Sequence, residues 1–148
     1  MSDLRELYQE VIFDHNRHPR NFGVLEHPTK VAHGHNPLCG DQLTLYLTVR
    51  DGVVVDVSFQ GQGCAISTAS ASLMTEAVKG KPLAEVEALF TAFHTMLTED
   101  QAEPRSDLGK LEVFDGVREY PARVKCATLA WHTLHNAVLG TDETAKTE

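Results

Sequence analysis

The sequence predicts an α+β fold in which a small antiparallel three-stranded sheet, arranged as a meander, is covered by helices. One observation is alternation, since apolar residues occupy every second position from Gln42 to Val49 and from Val53 to Phe59. Between these runs lies Asp51-Gly52, a pair typical of hairpin turns because Gly accepts positive φ. The other observation is apolar residues at helical spacing near both ends of the chain, which predicts N-terminal and C-terminal helices packing on the sheet.

The N-terminal part of the chain contains the first predicted helix and the first predicted strand. Residues 3–17 carry one apolar stripe, and Pro19 and Gly23 end the helix after it. A short strand is expected over residues 30–34, leading into a turn. Three histidines lie in or beside the helix end and are expected to be solvated: His15, His18 and His27.

Three further helices are predicted after the hairpin. Residues 65–79 form a helix rich in small side chains, and residues 83–97 carry an apolar stripe. The last helix runs from 121 to 139, with Pro121 in its first turn and Gly140 as its stop. The polar stretch 98–120 is expected to be a loop with a short helix.

Length, charge and cysteine content restrict the class of protein. A chain of 148 residues fits one domain, and its net charge of -8 argues against nucleic acid or anionic membrane as the main partner. No stretch approaches the roughly twenty apolar residues that span a bilayer, so we expect a cytoplasmic protein. Three cysteines cannot form a complete set of disulfides, and free thiols in a reducing compartment are typical of metal sites or catalysis. The oligomeric state stays open between a monomer and a weak dimer.

Three cysteines and one aspartate form the candidate metal site. Cys39 and Asp41 lie in a turn before the hairpin, and Cys64 follows the hairpin at the start of a helix, so a closed meander returns the chain to the same level. Cys126 lies in the first turns of the last helix, where the helix dipole favours a thiolate. Thiolates in one place repel one another, and a Zn²⁺ ion with four tetrahedral ligands relieves that repulsion. Arg123 is on the same helix face as Cys126 and offsets excess negative charge.

Other interpretations of these residues stay open at this point. The cysteines could be buried as small hydrophobic side chains, or a zinc ion could be purely structural. Cys64 could also be the nucleophile of a hydrolase, with a histidine as its base. His33 and His35 could be further ligands, although an exposed strand end explains them equally well. The candidate bases are His94, His132 and His135.

Four segments of the chain resemble one known family, the U-type iron–sulfur cluster assembly proteins, which include IscU, SufU and the N-terminal domain of NifU. The resemblance runs from the first helix to about Gly140. It implies a single SufE/NifU-like domain over residues 1–140, followed by a flexible tail over 141–148. The four segments are Asn36–Asp41, Gly61–Ser67, Ser72–Lys81 and Arg123–Trp131.

Within this family the chain is more similar to SufU than to IscU. IscU-type scaffolds carry a histidine immediately before the third cysteine, and Lys125 occupies that position here. The stretch 98–120 is similar to the SufU insertion. This resemblance implies zinc bound by the four candidate ligands, with Cys39 as the catalytic sulfur acceptor and Arg123 in support. It further implies sulfur transfer from a SufS-type cysteine desulfurase to the cluster assembly scaffold. The alternative is an IscU-like scaffold that builds a [2Fe–2S] cluster, or binds iron, on the same cysteines.

Overall fold

The sheet has the antiparallel meander that the sequence predicts. The computed structural model describes residues 2–37, 39–98, 106–140 and 144–146. Strand β2 lies between β1 and β3 and pairs antiparallel with both. The strands are β1 (Lys30–Asn36), β2 (Asp41–Arg50) and β3 (Val53–Gln62). The helices are α1 (Ser2–Arg17), α2 (Ala65–Val78), α3 (Leu83–Thr98) and α4 (Pro121–Leu139), with a 3-10 segment at Ser106–Glu119.

A short fourth strand, β4 (Ala145–Lys146), pairs parallel with β1 at Gly34 and His35. Ala145 is buried beside that strand. This pairing lies within the tail that the sequence predicts to be flexible. The polar composition of the tail does not indicate a strand there. Residues 141–143 and 147–148 of the predicted tail lie outside the described residues.

The outer edge of β3 is also paired with another part of the chain. The backbone N–H of Phe59 donates to the carbonyl oxygen of Asn21 at 3.0 Å, and the N–H of Gly23 donates to the carbonyl of Phe59 at 2.8 Å. The Phe22 ring packs edge-on against Phe59, with 5.3 Å between the ring centroids. The segment that follows α1 therefore lies along β3 and forms a single β-bridge with it, between Phe22 and Phe59.

Helices α2 and α4 pack against the sheet, and α4 makes the closest approach. A Cβ atom built on Gly34 of β1 would lie 2.2 Å from the Thr133 hydroxyl oxygen and 3.1 Å from a Leu129 methyl carbon. Only glycine allows α4 to lie this close to β1. This approach brings the N-terminal turns of α4, and Cys126 with them, to the end of β1. In the described part of the chain, no helix is long and apolar enough to cross a membrane.

Helix α1 packs mainly against α2, and one buried histidine lies in that interface. His15 is only 2% exposed, and its Nδ1 atom lies 2.7 Å from the Ser72 hydroxyl oxygen. Its Nε2 atom lies 3.6 Å from a carboxylate oxygen of Glu76. The expectation that His15 is solvated is therefore wrong. The helical stripe of α1 does not reveal the burial, because the polar partners come from a helix more than fifty residues later.

The 3-10 segment is anchored by its apolar residues, as the sequence predicts. It is interrupted at Gly109, where φ is 55°. The Phe93 ring of α3 stacks on Trp131 of α4, with 4.7 Å between the ring centroids. It also packs edge-on against Phe114 of the 3-10 segment, with 5.8 Å between the centroids. These three aromatic side chains join three elements in one core. Residues 99–105 of the predicted insertion lie outside the described part of the chain.

Candidate metal centre

The candidate metal centre lies at the end of the sheet where β1 stops and β2 begins. The turn between them is closed by a hydrogen bond from the backbone N–H of Gly40 to the carbonyl oxygen of Asn36, at 2.8 Å. Gly40 has a φ of 73°, which glycine adopts without strain. This turn carries Cys39, whose side chain is exposed.

Two of the three cysteine sulfurs are in direct contact. The Sγ atom of Cys126 lies 3.4 Å from the Sγ atom of Cys39. One ligand atom from each of Cys39, Asp41 and Cys126 lies within 4.8 Å of the others. Cys126 and Asp41 are both 0% exposed. The site therefore combines one accessible thiol with a buried thiol and a buried carboxylate.

Asp41 is fixed by hydrogen bonds to both of its carboxylate oxygens. Oδ1 accepts from the backbone N–H of Cys64 at 2.9 Å, and Oδ2 accepts from the Asn36 amide nitrogen at 3.3 Å. A Cβ atom built on Gly63 would lie 2.5 Å from Asp41 Oδ1. The glycine before Cys64 thus leaves the space that the carboxylate occupies.

Cys64 lies at the start of α2, but its sulfur is outside the group whose ligand atoms all lie within 4.8 Å. It is the N-cap residue of α2, and its Sγ atom accepts a hydrogen bond from the backbone N–H of Ser67 at 3.4 Å. The Cys64 side chain also interacts with that of Cys126. The structure therefore brings three of the four predicted ligands together and places the fourth beside them, where it caps a helix.

The surroundings of Cys126 favour its protonated form when no cation is bound. Burial is the main cause that raises the pKa of this thiol, and its contacts with Cys39, Cys64 and Asp41 raise the pKa further. Arg123 hydrogen-bonds Cys126, and this bond and the nearby thiol groups raise the pKa of the guanidinium. The exposed Arg123 therefore stays charged beside the sulfur atoms, as the sequence predicts.

The donor atoms of this centre match the requirements of zinc. Thiolate sulfur and carboxylate oxygen are both common zinc ligands. Tetrahedral bonds of about 2.3 Å place two sulfur atoms roughly 3.8 Å apart, and the observed separation is 3.4 Å. The group comes from three separate elements, so it is already assembled by the fold. The residues present therefore fit a zinc ion.

Asn36 belongs to this site, although sequence reasoning gave it no role. Its side chain is 0% exposed, and its amide nitrogen lies 3.3 Å from Asp41 Oδ2 and 3.6 Å from Cys126 Sγ. Its main-chain carbonyl closes the Cys39 turn. The only signal in the sequence is its position directly before Pro37, which indicates a turn and not a buried amide.

The histidines considered as bases or ligands are occupied elsewhere. His33 is exposed on the open face of the sheet, and its Nδ1 atom lies 3.2 Å from the Thr44 hydroxyl. His35 lies on the same strand, where it pairs with Gln42 of β2. The three candidate bases surround Phe90 between α3 and α4, and one of them, His135, lies 3.1 Å from a Glu87 carboxylate oxygen. Ordinary packing thus accounts for the three rings that contact Phe90: His94, His132 and His135.

A family profile described as the NifU-like N terminal domain matches residues 7–127. The chain belongs to this family. The match includes every residue of the candidate centre, and it confirms the resemblance to the IscU and SufU proteins.

Two relatives match nearly the whole chain. A protein of Bacillus subtilis named zinc-dependent sulfurtransferase SufU is 42% identical over 137 residues, covering 93% of this chain and 92% of that protein. A protein of Streptococcus pyogenes named iron–sulfur cluster assembly scaffold protein IscU is 38% identical, covering 93% and 86%. This member of the family is therefore similar to proteins named for two different roles.

A solved structure has the same fold. It is described as a putative iron–sulfur cluster assembly scaffold protein for the SUF system, from Fervidobacterium islandicum. It is 37% identical in sequence, covers 90% of this chain and 97% of its own, and superposes with a TM-score of 0.84. The fold predicted from the resemblance is confirmed by this agreement.

Proposed function

We propose that this protein is a zinc-dependent sulfurtransferase that accepts persulfide sulfur from a SufS-type cysteine desulfurase and passes it to the iron–sulfur cluster assembly machinery. The observation that carries the proposal is the exposed thiol of Cys39 in contact with the buried thiol of Cys126. The proposed zinc ligands are Cys39, Asp41, Cys64 and Cys126. The cytoplasm is the proposed location, and the proposed domain covers residues 1–140.

Sulfur transfer requires Cys39 as a thiolate. When bound, zinc supplies this by holding coordinated thiols deprotonated at neutral pH. The Cys39 thiolate attacks the outer sulfur of the desulfurase persulfide, a new S–S bond forms, and the S–S bond of the donor breaks. The donor cysteine leaves as a thiolate, and Cys39 carries the persulfide. Electrons and protons balance without an added oxidant.

Two features of the site support this step. Cys39 lies on the surface, in the turn between β1 and β2, where a partner can reach its sulfur. Arg123 is exposed beside the same thiols, so its charge stabilises the negative sulfur that develops during transfer. In contrast, the buried Cys126 is out of reach of a partner.

Desulfurase turnover tests the proposal. The cognate desulfurase is assayed for sulfide or alanine production with and without the zinc-loaded protein, and the persulfide is located by mass spectrometry of alkylated peptides. We expect stimulation by the wild-type protein, a persulfide on Cys39, and neither effect with Cys39→Ser. The control is Thr91→Ala, an exposed position on α3. Zinc-loaded wild-type protein that gives no stimulation would contradict the transferase role.

The second candidate function is an IscU-like scaffold, which the 38% identity to the Streptococcus pyogenes protein favours. Against it stands Lys125, because an ammonium group cannot replace the histidine that IscU-type scaffolds carry before the third cysteine. Reconstitution with ferrous iron and sulfide separates the two functions. A stable visible absorption and transfer of the cluster to an apo-ferredoxin would favour the scaffold. Bleaching within minutes, together with desulfurase stimulation, would favour the transferase.

A further inference from the structure

The buried side-chain amide of Asn36 contacts both buried ligands of the candidate centre, Asp41 and Cys126. The Asn36 Nδ2 atom lies 3.3 Å from Asp41 Oδ2 and 3.6 Å from Cys126 Sγ, so its two hydrogens are shared between a carboxylate and a thiol. The side chain is fully buried, between the end of β1 and α4. The nearby Cys39, in contrast, is exposed and lies in the turn that the Asn36 carbonyl closes.

Cys126 lies close enough to Cys39 to attack a persulfide formed on it. The two Sγ atoms are 3.4 Å apart, and a disulfide requires about 2.0 Å, so they need to approach by only about 1.4 Å. Attack of Cys126 on the inner sulfur of a Cys39 persulfide forms a Cys39–Cys126 disulfide. The outer sulfur leaves as hydrosulfide with its electron pair, and its proton comes from the persulfide or from water, because a zinc-bound Cys126 would already be a thiolate. The reaction needs no oxidant, and it destroys the carried sulfur.

We propose that Asn36 is a positioning residue that holds Cys126 and Asp41 in place and so prevents Cys126 from discharging the sulfur on Cys39. The inference rests on the proposed function, because it assumes a persulfide on Cys39. A hydrogen bond from the Asn36 amide to Cys126 Sγ fixes the sulfur and occupies its lone pair. The second amide hydrogen fixes the Asp41 carboxylate, which in turn caps the backbone of Cys64.

The test loads the zinc-bound, full-length protein with inorganic polysulfide, which needs no desulfurase. After removal of excess polysulfide, released sulfide is measured over time, and the Cys39–Cys126 disulfide is quantified by mass spectrometry. Asn36→Leu keeps a branched side chain of similar shape and removes both hydrogen-bond donors of the amide. We expect it to release sulfide at least about tenfold faster than wild type, with one disulfide per sulfide, because one hydrogen bond to a charged group corresponds to roughly that factor.

Three further variants test whether faster sulfide release comes from attack by Cys126 and not from a loss of stability. Asn36→Leu combined with Cys126→Ser should restore a slow release without any disulfide. Thr75→Val removes a buried hydroxyl near the C-terminal end of α2, eleven residues after Cys64, so it controls for lost stability and should behave as wild type. If Asn36→Leu does not fold, Asn36→Ser decides by the same measurement, because its hydroxyl is too short to reach both partners.

A release rate within twofold of wild type in a folded Asn36 variant, or fast release without the disulfide, would overturn the proposal. A failure of the proposed function gives a different result. In that case wild-type protein does not stimulate the desulfurase, while the lifetimes of the polysulfide-loaded variants still report on Asn36.

Discussion

The Oδ1 atom of Asp41 accepts a hydrogen bond of 2.9 Å from the backbone N–H of Cys64, which joins the first residue of β2 to the residue that caps α2. The contact links the two chain ends at the open end of the β2–β3 hairpin. It therefore couples the position of a candidate ligand to the start of a helix, and substitutions around it test the site directly.

Gly63→Ala should weaken zinc binding by about tenfold or more, the usual effect of displacing a ligand's support. The added methyl group would lie 2.5 Å from Asp41 Oδ1, so the carboxylate has to move. Competition with a chromophoric chelator measures the affinity. Gly116→Ala is the matched control, because its Cβ meets no atom within 4 Å. Equal affinities for the two variants would show that the carboxylate position does not matter.

Arg123→Ala should slow sulfur transfer by on the order of tenfold, while Arg123→Lys retains part of the rate, because the charge persists but the hydrogen bond to Cys126 is altered. The measurement is the maximal rate of desulfurase stimulation at saturating zinc. Arg50→Ala, at the exposed last residue of β2, controls for a general loss of positive charge. An Arg123→Ala variant as fast as wild type would exclude a role for the guanidinium.

His15 should make the protein less stable in acid. Burial, and next the charge of Arg20, lower the pKa of His15, so the folded state disfavours the protonated ring. The unfolded chain takes up the proton below its pKa of about 6.5, so the free energy of unfolding falls as the pH drops below that value. Urea titrations at pH 7.5 and 5.5, without added metal, should show a smaller fall for His15→Gln. The exposed His27→Gln should match wild type, and a parallel fall in His15→Gln would refute the assignment.

Phe93→Ala should lower the free energy of unfolding by about 3–5 kcal/mol, the usual cost of such a core cavity. Phe93 is fully buried and contacts both Trp131 and Phe114, so its loss separates α3 from α4 and from the 3-10 segment. Chemical denaturation measures the change. Phe13→Ala, with a side chain that is 53% exposed, should cost far less. Similar losses in both variants would show that this aromatic cluster is not central to the fold.

Sequence reasoning predicted the parts of the fold that local patterns determine. The Asp51-Gly52 turn, the alternation of β2 and β3 and the Gly140 stop of α4 are all observed. These signals are short-range, because turn dihedral angles and strand periodicity depend on neighbouring residues. The approach of Cys64 to Asp41 could also be expected, since a meander brings its two ends together.

The features that escaped prediction depend on partners distant in sequence. Asn36 is buried because α4 arrives over it ninety residues later, and a turn motif carries no trace of that contact. The same holds for the pairing of Ala145 with Gly34. Cys64 differs from both, because its place at a helix start was predicted, but its sulfur caps Ser67 instead of joining the other ligand atoms. The rotamer of a side chain at a helix start depends on which backbone N–H donor it reaches, and the sequence alone does not determine that rotamer.

The pairing of Asn21–Gly23 with β3 and of Ala145–Lys146 with β1 has a consequence for self-assembly. The two borders of the three-stranded meander, β3 and β1, therefore have part of their hydrogen-bonding capacity taken by their own chain, and a second molecule finds fewer free backbone groups with which to extend the sheet. We therefore expect concentrated solutions of this protein to resist fibril growth.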